Sequence, residues 1–155
     1  MSYLILGASS GLGRDLAYTF AKNLHNLTLI SRDDRDLAPI KSDLENKFQI
    51  KVNIYKVDAS SKDEVSSFLK NKETIFNDLD GVLFPIGMMS NNDCISKIGE
   101  NADIINNANY LSIVRFIEKI MPIFERKNNG IIVGFGSVAS SLGRKTNVLY
   151  SASKR

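Results

Sequence analysis

The chain has 155 residues, of which 43% are hydrophobic and 24% charged. This composition is typical of a folded globular domain and excludes a collagen-like, coiled-coil or grossly disordered chain. Lys and Arg number 20 against 17 Asp and Glu, and the net charge of +3 is too small to indicate a nucleic-acid partner. A single cysteine, Cys94, and a single histidine, His25, argue against internal disulfides and most metal sites, so no metal is predicted.

The sequence carries no signal for a membrane. No apolar run approaches the ~18 residues of a membrane span, and the N-terminal segment lacks the basic region of a signal peptide. We therefore expect a cytoplasmic protein without a membrane span.

Short apolar runs alternate along the chain with segments of helical periodicity. Five runs predict buried strands, at residues 3–6, 27–30, 52–57, 81–85 and 131–135. Helices are predicted between them at 34–48, 62–69 and 101–127, after a first helix whose apolar face is Leu12, Leu16, Phe20 and Leu24, with Ala17 and Ala21 beside them. Apolar strands joined by helices indicate a parallel sheet covered on both faces. The predicted fold class is α/β, a doubly wound, Rossmann-like sheet of about five strands in the order 3-2-1-4-5.

The first predicted strand ends in a glycine-rich turn, Gly7-Ala-Ser-Ser-Gly-Leu-Gly13. Glycines permit a tight turn and let a pyrophosphate approach the helix N-terminus, where free N–H groups favour an anion. A plain glycine-rich turn is the alternative, but the position between a strand and an amphipathic helix favours nucleotide binding. The residues predicted to bind the cofactor here are Gly7, Ser9, Ser10, Gly11, Leu12 and Gly13.

The ends of the second and third strands add to this predicted site. After the second strand comes Ser31-Arg32, and a basic residue there accommodates a 2′-phosphate, whereas an acidic residue would hold the ribose hydroxyls. Arg32 therefore predicts a preference for NADP(H) over NAD(H), unless it pairs with one of the two aspartates that follow it. Asp58, followed by Ala59, is placed either to meet the adenine amino group or to cap the next turn.

Near the C-terminus stand Ser137 and the segment Tyr150-Ser-Ala-Ser-Lys154. On a helix, Tyr150 and Lys154 lie four residues apart and share one face. A phenol ionises at about pH 10, and a neighbouring ammonium favours the ionised form, as general acid–base catalysis at neutral pH requires. Taken alone, this spacing is more often an exposed pair on a helix.

Together these motifs resemble the short-chain dehydrogenase/reductase family. The matching residues, in the family's order, are Gly7, Gly11, Gly13, Asp58, Asn109, Ser137, Tyr150 and Lys154. The resemblance implies an NAD(P)H-dependent oxidoreductase that transfers a hydride between nicotinamide and a ketone or secondary alcohol. It further implies that Tyr150 exchanges a proton with the substrate oxygen and that Ser137 holds this oxygen.

The resemblance assigns two supporting roles as well. Lys154 would stabilise the phenolate and, like Tyr150, contact the cofactor. Asn109 would help to position a water in the proton relay, with Asn106 and Asn107 as nearby alternatives.

The sequence departs from the family pattern in two places. Leu6 stands where the family usually has Thr or Ser, and Phe84-Pro-Ile-Gly87 replaces the usual Asn-Asn-Ala-Gly. Because only the glycine is kept, we expect backbone contacts to the cofactor at Ile86 and Gly87 in place of side-chain contacts. The stretch Gly143-Arg-Lys-Thr-Asn-Val-Leu-Tyr150 is similar to the subgroup of decaprenylphosphoryl 2-keto-pentose reductases, which implies a keto-sugar substrate. Reductases of flagellin or polysaccharide sugars are the alternatives.

Family members continue with further strands after the Tyr–Lys segment, whereas this sequence stops at Arg155. We therefore predict one NAD(P)-binding Rossmann domain over residues 1–155, truncated before its C-terminal strands, that alone binds dinucleotide weakly and has little activity. The full-length protein is expected to be a homodimer or homotetramer acting on a small-molecule carbonyl or alcohol. The alternative function is a non-catalytic dinucleotide-binding module or regulator.

Overall fold

Five parallel strands form one sheet in the order β3-β2-β1-β4-β5, in a computed structural model that describes residues 1–90, 98–143 and 145–155. The strands are β1 (Ser2–Leu6), β2 (Asn26–Ser31), β3 (Val52–Lys56), β4 (Gly81–Phe84) and β5 (Ile131–Gly134). The predicted fold class and strand order are confirmed, and each predicted strand agrees with the observed one within one residue at either end. Cys94 and Arg144 lie outside the described residues.

Helices connect the strands and cover the sheet. The α-helices in the described ranges are α1 (Gly11–Lys22), α2 (Asp34–Phe48), α3 (Lys62–Asn71), α4 (Ile98–Asn106), α5 (Ser112–Lys127) and α6 (Val148–Ser153). Asp33 and Ser61 begin α2 and α3, where each side chain accepts a hydrogen bond from a backbone N–H of the first turn. Among these helices none is long and apolar enough to cross a membrane.

The core has two halves, one on each face of the sheet. Alternate residues of a strand point to opposite faces, so Leu4 and Leu6 belong to one half and Tyr3 and Ile5 to the other. The first half is closed by α3 and α5, with the buried side chains Val65, Phe68, Leu69, Phe116, Ile120, Ile123 and Phe124. The second is closed by α1 and α2, with Ala17, Ala21, Leu37, Ile40 and Leu44. These helices cover the two faces of the sheet, and the predicted site lies at the carboxyl ends of the strands.

The apolar face predicted for α1 is partly wrong. Its buried residues are Gly13, Ala17 and Ala21, whereas Leu12 and Leu24 are 49% and 69% exposed. Small residues on the inner face allow the helix backbone to approach the sheet closely. Leu24 lies beyond the end of the helix, in the left-handed backbone region at φ 59°.

The long helix predicted at 101–127 is helical throughout, but it contains a turn of a different type. A π-helical turn, Asn107–Leu111, separates α4 from α5, and the N–H of Ser112 bonds to the carbonyl of Asn107, five residues earlier. The Ser112 hydroxyl donates to the carbonyl of Ala108 at 2.9 Å. Such a turn inserts one residue into the helix and is frequent at functional sites, and here it contains Asn109.

Candidate active site

A cavity of about 580 Å³ lies at the carboxyl ends of the strands, a size in the range of small-molecule and cofactor sites. It spans the point between β1 and β4 where the strand order reverses, which is the usual place for a ligand in an open α/β sheet. Eight predicted cofactor residues line it: Gly7, Ser9, Ser10, Ser31, Arg32, Asp58, Ala59 and Gly87. Other lining residues include Asp36, Met88, Met89, Asn101, Ile104, Ile105 and Ala108.

The glycine turn is shaped by close backbone contacts. Gly7 has φ +96° and its N–H donates to the carbonyl of Ile30 at 2.8 Å. A Cβ on Gly13 would lie 2.0 Å from the carbonyl oxygen of Gly7, so only glycine fits there. Gly11 has φ +48° with open space around it, a backbone conformation that glycine adopts readily.

The N-terminus of α1 differs from those of α2 and α3. The residue before it, Ser10, makes no side-chain capping hydrogen bond within the described structure, whereas Asp33 and Ser61 cap their helices. The first N–H groups of a helix need partners from outside it and attract negative charge. The first turn of α1 is therefore suited to a phosphate group.

Two serines and Arg32 form the edge of the cavity at the end of β2. The Ser31 hydroxyl donates to that of Ser9 at 2.9 Å, which ties the glycine turn to β2. Asp33 is paired with Arg35, with 2.6 Å between Oδ2 and Nη2, and these hydrogen bonds lower the pKa of Asp33 to about 2. The alternative pairing of Arg32 with Asp33 is thus absent from the described salt bridges, and Arg32 is exposed on the cavity wall.

Asp58 caps the turn after β3 and also lines the cavity. Its Oδ1 accepts from the backbone N–H of Ser60 at 2.9 Å and from the Ser60 hydroxyl at 2.7 Å. The capping alternative is therefore confirmed, and a contact from Asp58 to adenine remains a prediction.

Lys154 joins the carboxyl ends of two strands. Its Nζ donates to the carbonyl of Ile86 at 2.6 Å and to that of Phe135 at 3.1 Å, residues that follow β4 and β5. An ammonium has three N–H donors, so these two bonds leave one. Burial lowers the pKa of Lys154 because the charged form loses part of its hydration.

The backbone at Gly87 lies against both members of the Tyr–Lys pair. A Cβ placed on Gly87 would be 3.5 Å from Cε of Lys154 and 3.8 Å from Cε2 of Tyr150. Gly87 also lines the cavity, whereas Tyr150 and Lys154 are not among its lining residues. The segment that departs from the family pattern therefore still brings its backbone to the predicted catalytic side chains.

Asn109 is held between two other parts of the site. Its side chain is 3% exposed, accepts from the N–H of Met88 at 2.6 Å, and donates to the carbonyl of Met88 at 2.8 Å and to the Ser153 hydroxyl at 2.9 Å. Asn107 instead faces Arg115, so Asn109 is the asparagine of this turn that reaches the site. Its side-chain donors bind protein atoms, which leaves any contact with a water as a prediction.

Ser137 follows β5 and begins a short 3₁₀ turn, Val138–Ser140. Its Oγ accepts from the N–H of Ala139 at 3.2 Å and its carbonyl accepts from the Ser140 hydroxyl at 2.6 Å, and its side chain is half-buried. Its position at the carboxyl edge of the sheet agrees with the prediction, while its contact with a substrate oxygen remains untested.

Sequence reasoning missed two contributors to the site. Ser153 belongs to the Tyr–Lys segment, three residues after Tyr150, and this spacing was the available signal. The carbonyl groups of Ile86 and Phe135 that hold Lys154 had no signal in the sequence, because any residue supplies a carbonyl.

The strand order and the position of the cavity define a Rossmann-like α/β domain. Residues 2–155 match the family model described as short chain dehydrogenase, and the chain belongs to that family.

Several characterised proteins are similar to this chain. An NADP-dependent 3-hydroxy acid dehydrogenase of Schizosaccharomyces pombe is 29% identical over 94% of this chain and 56% of its own length. The 3-oxoacyl-[acyl-carrier-protein] reductase FabG of Staphylococcus epidermidis is 25% identical over 99% of this chain and 63% of its own. The chain thus spans roughly three-fifths of the length of these relatives.

Solved structures share the fold. A bulky-bulky ketone specific alcohol dehydrogenase from Comamonas testosteroni superposes with a TM-score of 0.89 at 23% identity, covering 99% of this chain and 61% of the other. A short-chain dehydrogenase from Sphingobium yanoikuyae in complex with NADPH gives a TM-score of 0.88 at 24% identity, covering 99% and 59%.

Proposed function

We propose that the protein is an NADP(H)-dependent oxidoreductase that interconverts a ketone and a secondary alcohol, and that residues 1–155 supply its NAD(P)-binding domain. The observation that carries this proposal is that the cavity extends from the glycine turn to Gly87, beside which Tyr150 and Lys154 lie. The names of the relatives, a 3-hydroxy acid dehydrogenase and a 3-oxoacyl reductase, support the same class of reaction.

The residues present fit a dinucleotide. Gly13 allows the close turn, and the first turn of α1 offers N–H groups to the pyrophosphate. Arg32 and the serine pair Ser9–Ser31 would receive a 2′-phosphate, and the cavity wall at Asp58 would receive the adenine. When bound, the nicotinamide supplies or accepts the hydride.

The chain's own side chains would manage the proton and the oxygen. In the reductive direction the Tyr150 hydroxyl donates its proton to the substrate oxygen, and in the oxidative direction the phenolate accepts it. The nearby ammonium of Lys154 stabilises the phenolate. The hydroxyl of Ser137 donates a hydrogen bond to the reacting oxygen and holds it within reach of Tyr150.

The test of this proposal is oxidation of NADPH by the full-length protein with a panel of carbonyl substrates. The panel contains a bulky aromatic ketone, a 3-oxoacyl thioester, a 3-oxo acid and a keto-sugar, with NADPH absorbance as the readout. We expect turnover with at least one of them and a stoichiometric alcohol product. NADPH binding without turnover on any carbonyl or alcohol would instead favour the non-catalytic module.

For the substrate class we propose a keto group on a sugar. The support is the sequence stretch between Gly143 and Tyr150, which leads directly into α6. Among the substrates of the panel, we expect the keto-sugar to have the largest kcat/KM. A larger kcat/KM for the 3-oxoacyl thioester would overturn this proposal.

We also propose that the protein acts in the cytoplasm as a homodimer or homotetramer. Exposed apolar side chains on the π-helical turn and α5 support self-association: Tyr110, Leu111, Val114 and Met121 are each at least 36% exposed. Sedimentation of the full-length protein would test this, and a monomer at assay concentrations would contradict it.

Replacing Arg32 by Ala is expected to weaken NADPH binding about ten-fold and to leave NADH binding unchanged. The reason is the loss of a charge-assisted hydrogen bond to the 2′-phosphate, worth about 1.4 kcal/mol at an exposed site. Titration of both cofactors, followed by nicotinamide fluorescence, measures the difference.

The control for this prediction is Arg35→Ala. Arg35 carries the same charge as Arg32 and lies close to it in the chain, but its guanidinium already pairs with Asp33. Its loss should change NADPH binding by less than about two-fold, since it removes a similar net charge without removing a group on the cavity wall. Equal losses in the two variants would show a general charge effect and would argue against a 2′-phosphate site at Arg32.

A further inference from the structure

Three hydrogen bonds from one buried asparagine connect α6 to the loop after β4. The Asn109 side chain holds both backbone groups of Met88, and its second N–H reaches the Ser153 hydroxyl at 2.9 Å. The Ser153 hydroxyl donates in turn to the carbonyl of Tyr150 at 3.0 Å. A serine hydroxyl has a single O–H donor. Here that donor bonds to the carbonyl of Tyr150, and the hydroxyl oxygen accepts from Asn109.

The helix that carries Tyr150 needs such an attachment. With six residues, Val148–Ser153, α6 is far shorter than the ~12–15 residues at which an isolated helix becomes marginally stable. Its position therefore depends on contacts with the rest of the protein. Its N-cap, Asn147, makes no side-chain capping bond within the described structure, so the C-terminal turn carries the described polar attachments.

Two consecutive residues at that turn hold one short segment, residues 86–88. Lys154 binds the carbonyl of Ile86 directly, and Ser153 reaches Met88 through Asn109. Gly87 lies between these two anchored residues, and a Cβ built on it would be within 4 Å of both Tyr150 and Lys154. The two attachments together fix both the distance and the orientation of α6 relative to Gly87. With either attachment alone, α6 could still rotate about that single point.

We propose that Ser153 is a positioning residue, which locks α6 onto Asn109 and Met88 and thereby aims the Tyr150 hydroxyl at the reacting oxygen. The proposal rests on the proposed function. Ser153 touches neither substrate nor cofactor in this account, and it acts through the placement of its two neighbours, Tyr150 and Lys154. A displacement of about 1 Å at a reacting group can lower a rate 10²-fold, so a single lost bond at this turn has a measurable effect on turnover.

The chain offers a matched control in the same helix. Ser151 is 7% exposed and its hydroxyl has no hydrogen-bond partner among the described residues. Ser151→Ala thus removes the same atom from the same helix without breaking a described bond, and removal of an unpaired buried hydroxyl is nearly neutral or stabilising. Ser153→Thr is the rescue variant, because threonine keeps the hydroxyl and can bond a carbonyl in the preceding turn of a helix.

The experiment compares the full-length protein with its Ser153→Ala, Ser153→Thr and Ser151→Ala variants. For Ser153→Ala we expect kcat to fall about ten-fold or more, with KM for NADPH changed by less than about two-fold, since the phosphate-binding turn is untouched. Ser153→Thr should recover most of kcat, and Ser151→Ala should match the wild type. An unchanged kcat in Ser153→Ala, or an equal loss in Ser151→Ala, would overturn the proposal.

A second readout does not depend on turnover. The Met88 N–H is bonded to Asn109, so its hydrogen exchange should be at least about five-fold faster in Ser153→Ala and unchanged in Ser151→Ala. If the wild type has no activity, the proposed function fails, and this exchange rate alone decides whether Ser153 holds Asn109. Unchanged exchange at Met88 would overturn the attachment itself.

Discussion

Tyr150→Phe is expected to lower turnover about 10³-fold while the protein continues to bind NADPH. The phenol is the group that we propose exchanges a proton with the substrate oxygen, and general acid–base catalysis contributes typically 10²–10⁴-fold. The ring is kept, so packing against Gly87 is kept as well. The dissociation constant for NADPH should change by no more than about five-fold, since one neutral hydrogen bond contributes about 1 kcal/mol.

Steady-state kinetics and a cofactor titration on the same preparation measure both quantities. Lys154→Met is the companion variant, and it is expected to lower kcat by a similar factor because it removes the ammonium that favours the phenolate. Turnover within ten-fold of the wild type in Tyr150→Phe would assign the proton transfer to another group.

The difference in folding stability between the wild type and Lys154→Met is predicted to depend on pH. Burial lowers the folded-state pKa of Lys154 below its ordinary value of 10.5, so the folded chain binds this proton less tightly than the unfolded chain. The wild type should therefore gain stability as the pH rises from the lowered pKa towards 10.5. In Lys154→Met this gain is absent, and urea unfolding across the alkaline range compares the two.

Gly13→Ala is expected to destabilise the fold by about 3 kcal/mol and to weaken NADPH binding at least ten-fold. A Cβ at this position would lie 2.0 Å from the carbonyl oxygen of Gly7, so the turn and α1 must move apart. The cost lies at the upper end for overpacking because the opposing atom is backbone. The same movement displaces the N–H groups that we propose receive the pyrophosphate.

Gly11→Ala separates this steric effect from the general loss of a glycine. Gly11 has φ +48° but no atom within 4 Å of an added Cβ, so its cost is limited to the left-handed backbone conformation, about 1 kcal/mol. Urea unfolding compares the two variants. Equal free energies of unfolding would mean that the contact between Gly13 and Gly7 is relaxed in solution.

The sheet could be predicted from sequence because its strands are short and apolar and its turns carry their own signals. Runs such as residues 3–6 and 81–85 have no polar residue that would permit another role. The predicted bounds of α2 agree with the observed ones, and the structure adds that Asp33 caps its first turn. The order of the strands followed from the handedness of the crossovers.

The π-helical turn was not predicted: one inserted residue rotates the apolar stripe by about 100°, whereas the sequence was interpreted with one uninterrupted helical period over residues 101–127. The turn contains Asn109, whose side chain bonds, in the described part of the chain, to Met88 and Ser153 from two distant segments. Leu12 misled the prediction of α1 for a related reason. Periodicity indicated leucines on the inner face, whereas close approach to the turn requires Gly13 and the small residues on its side of the helix.

Sequence patterns indicated candidate site residues but not the hydrogen bonds that connect them. Motif spacing indicated Tyr150 and Lys154, and position after a strand indicated Arg32 and Asp58. The carbonyl partners of Lys154 belong to the backbone, which carries no residue-specific signal. Such contacts become visible only when the ends of β4 and β5 are placed side by side.

The measurement that tests the central claim most directly is transfer of deuterium from NADPH labelled at both C4 positions. The full-length protein is incubated with the labelled cofactor and each carbonyl of the panel, and the alcohol is examined by mass spectrometry. We expect deuterium on the carbinol carbon in the wild type and about 10³-fold slower labelling in Tyr150→Phe. An alcohol product without deuterium, or no alcohol from any carbonyl despite bound NADPH, would contradict hydride transfer at this site.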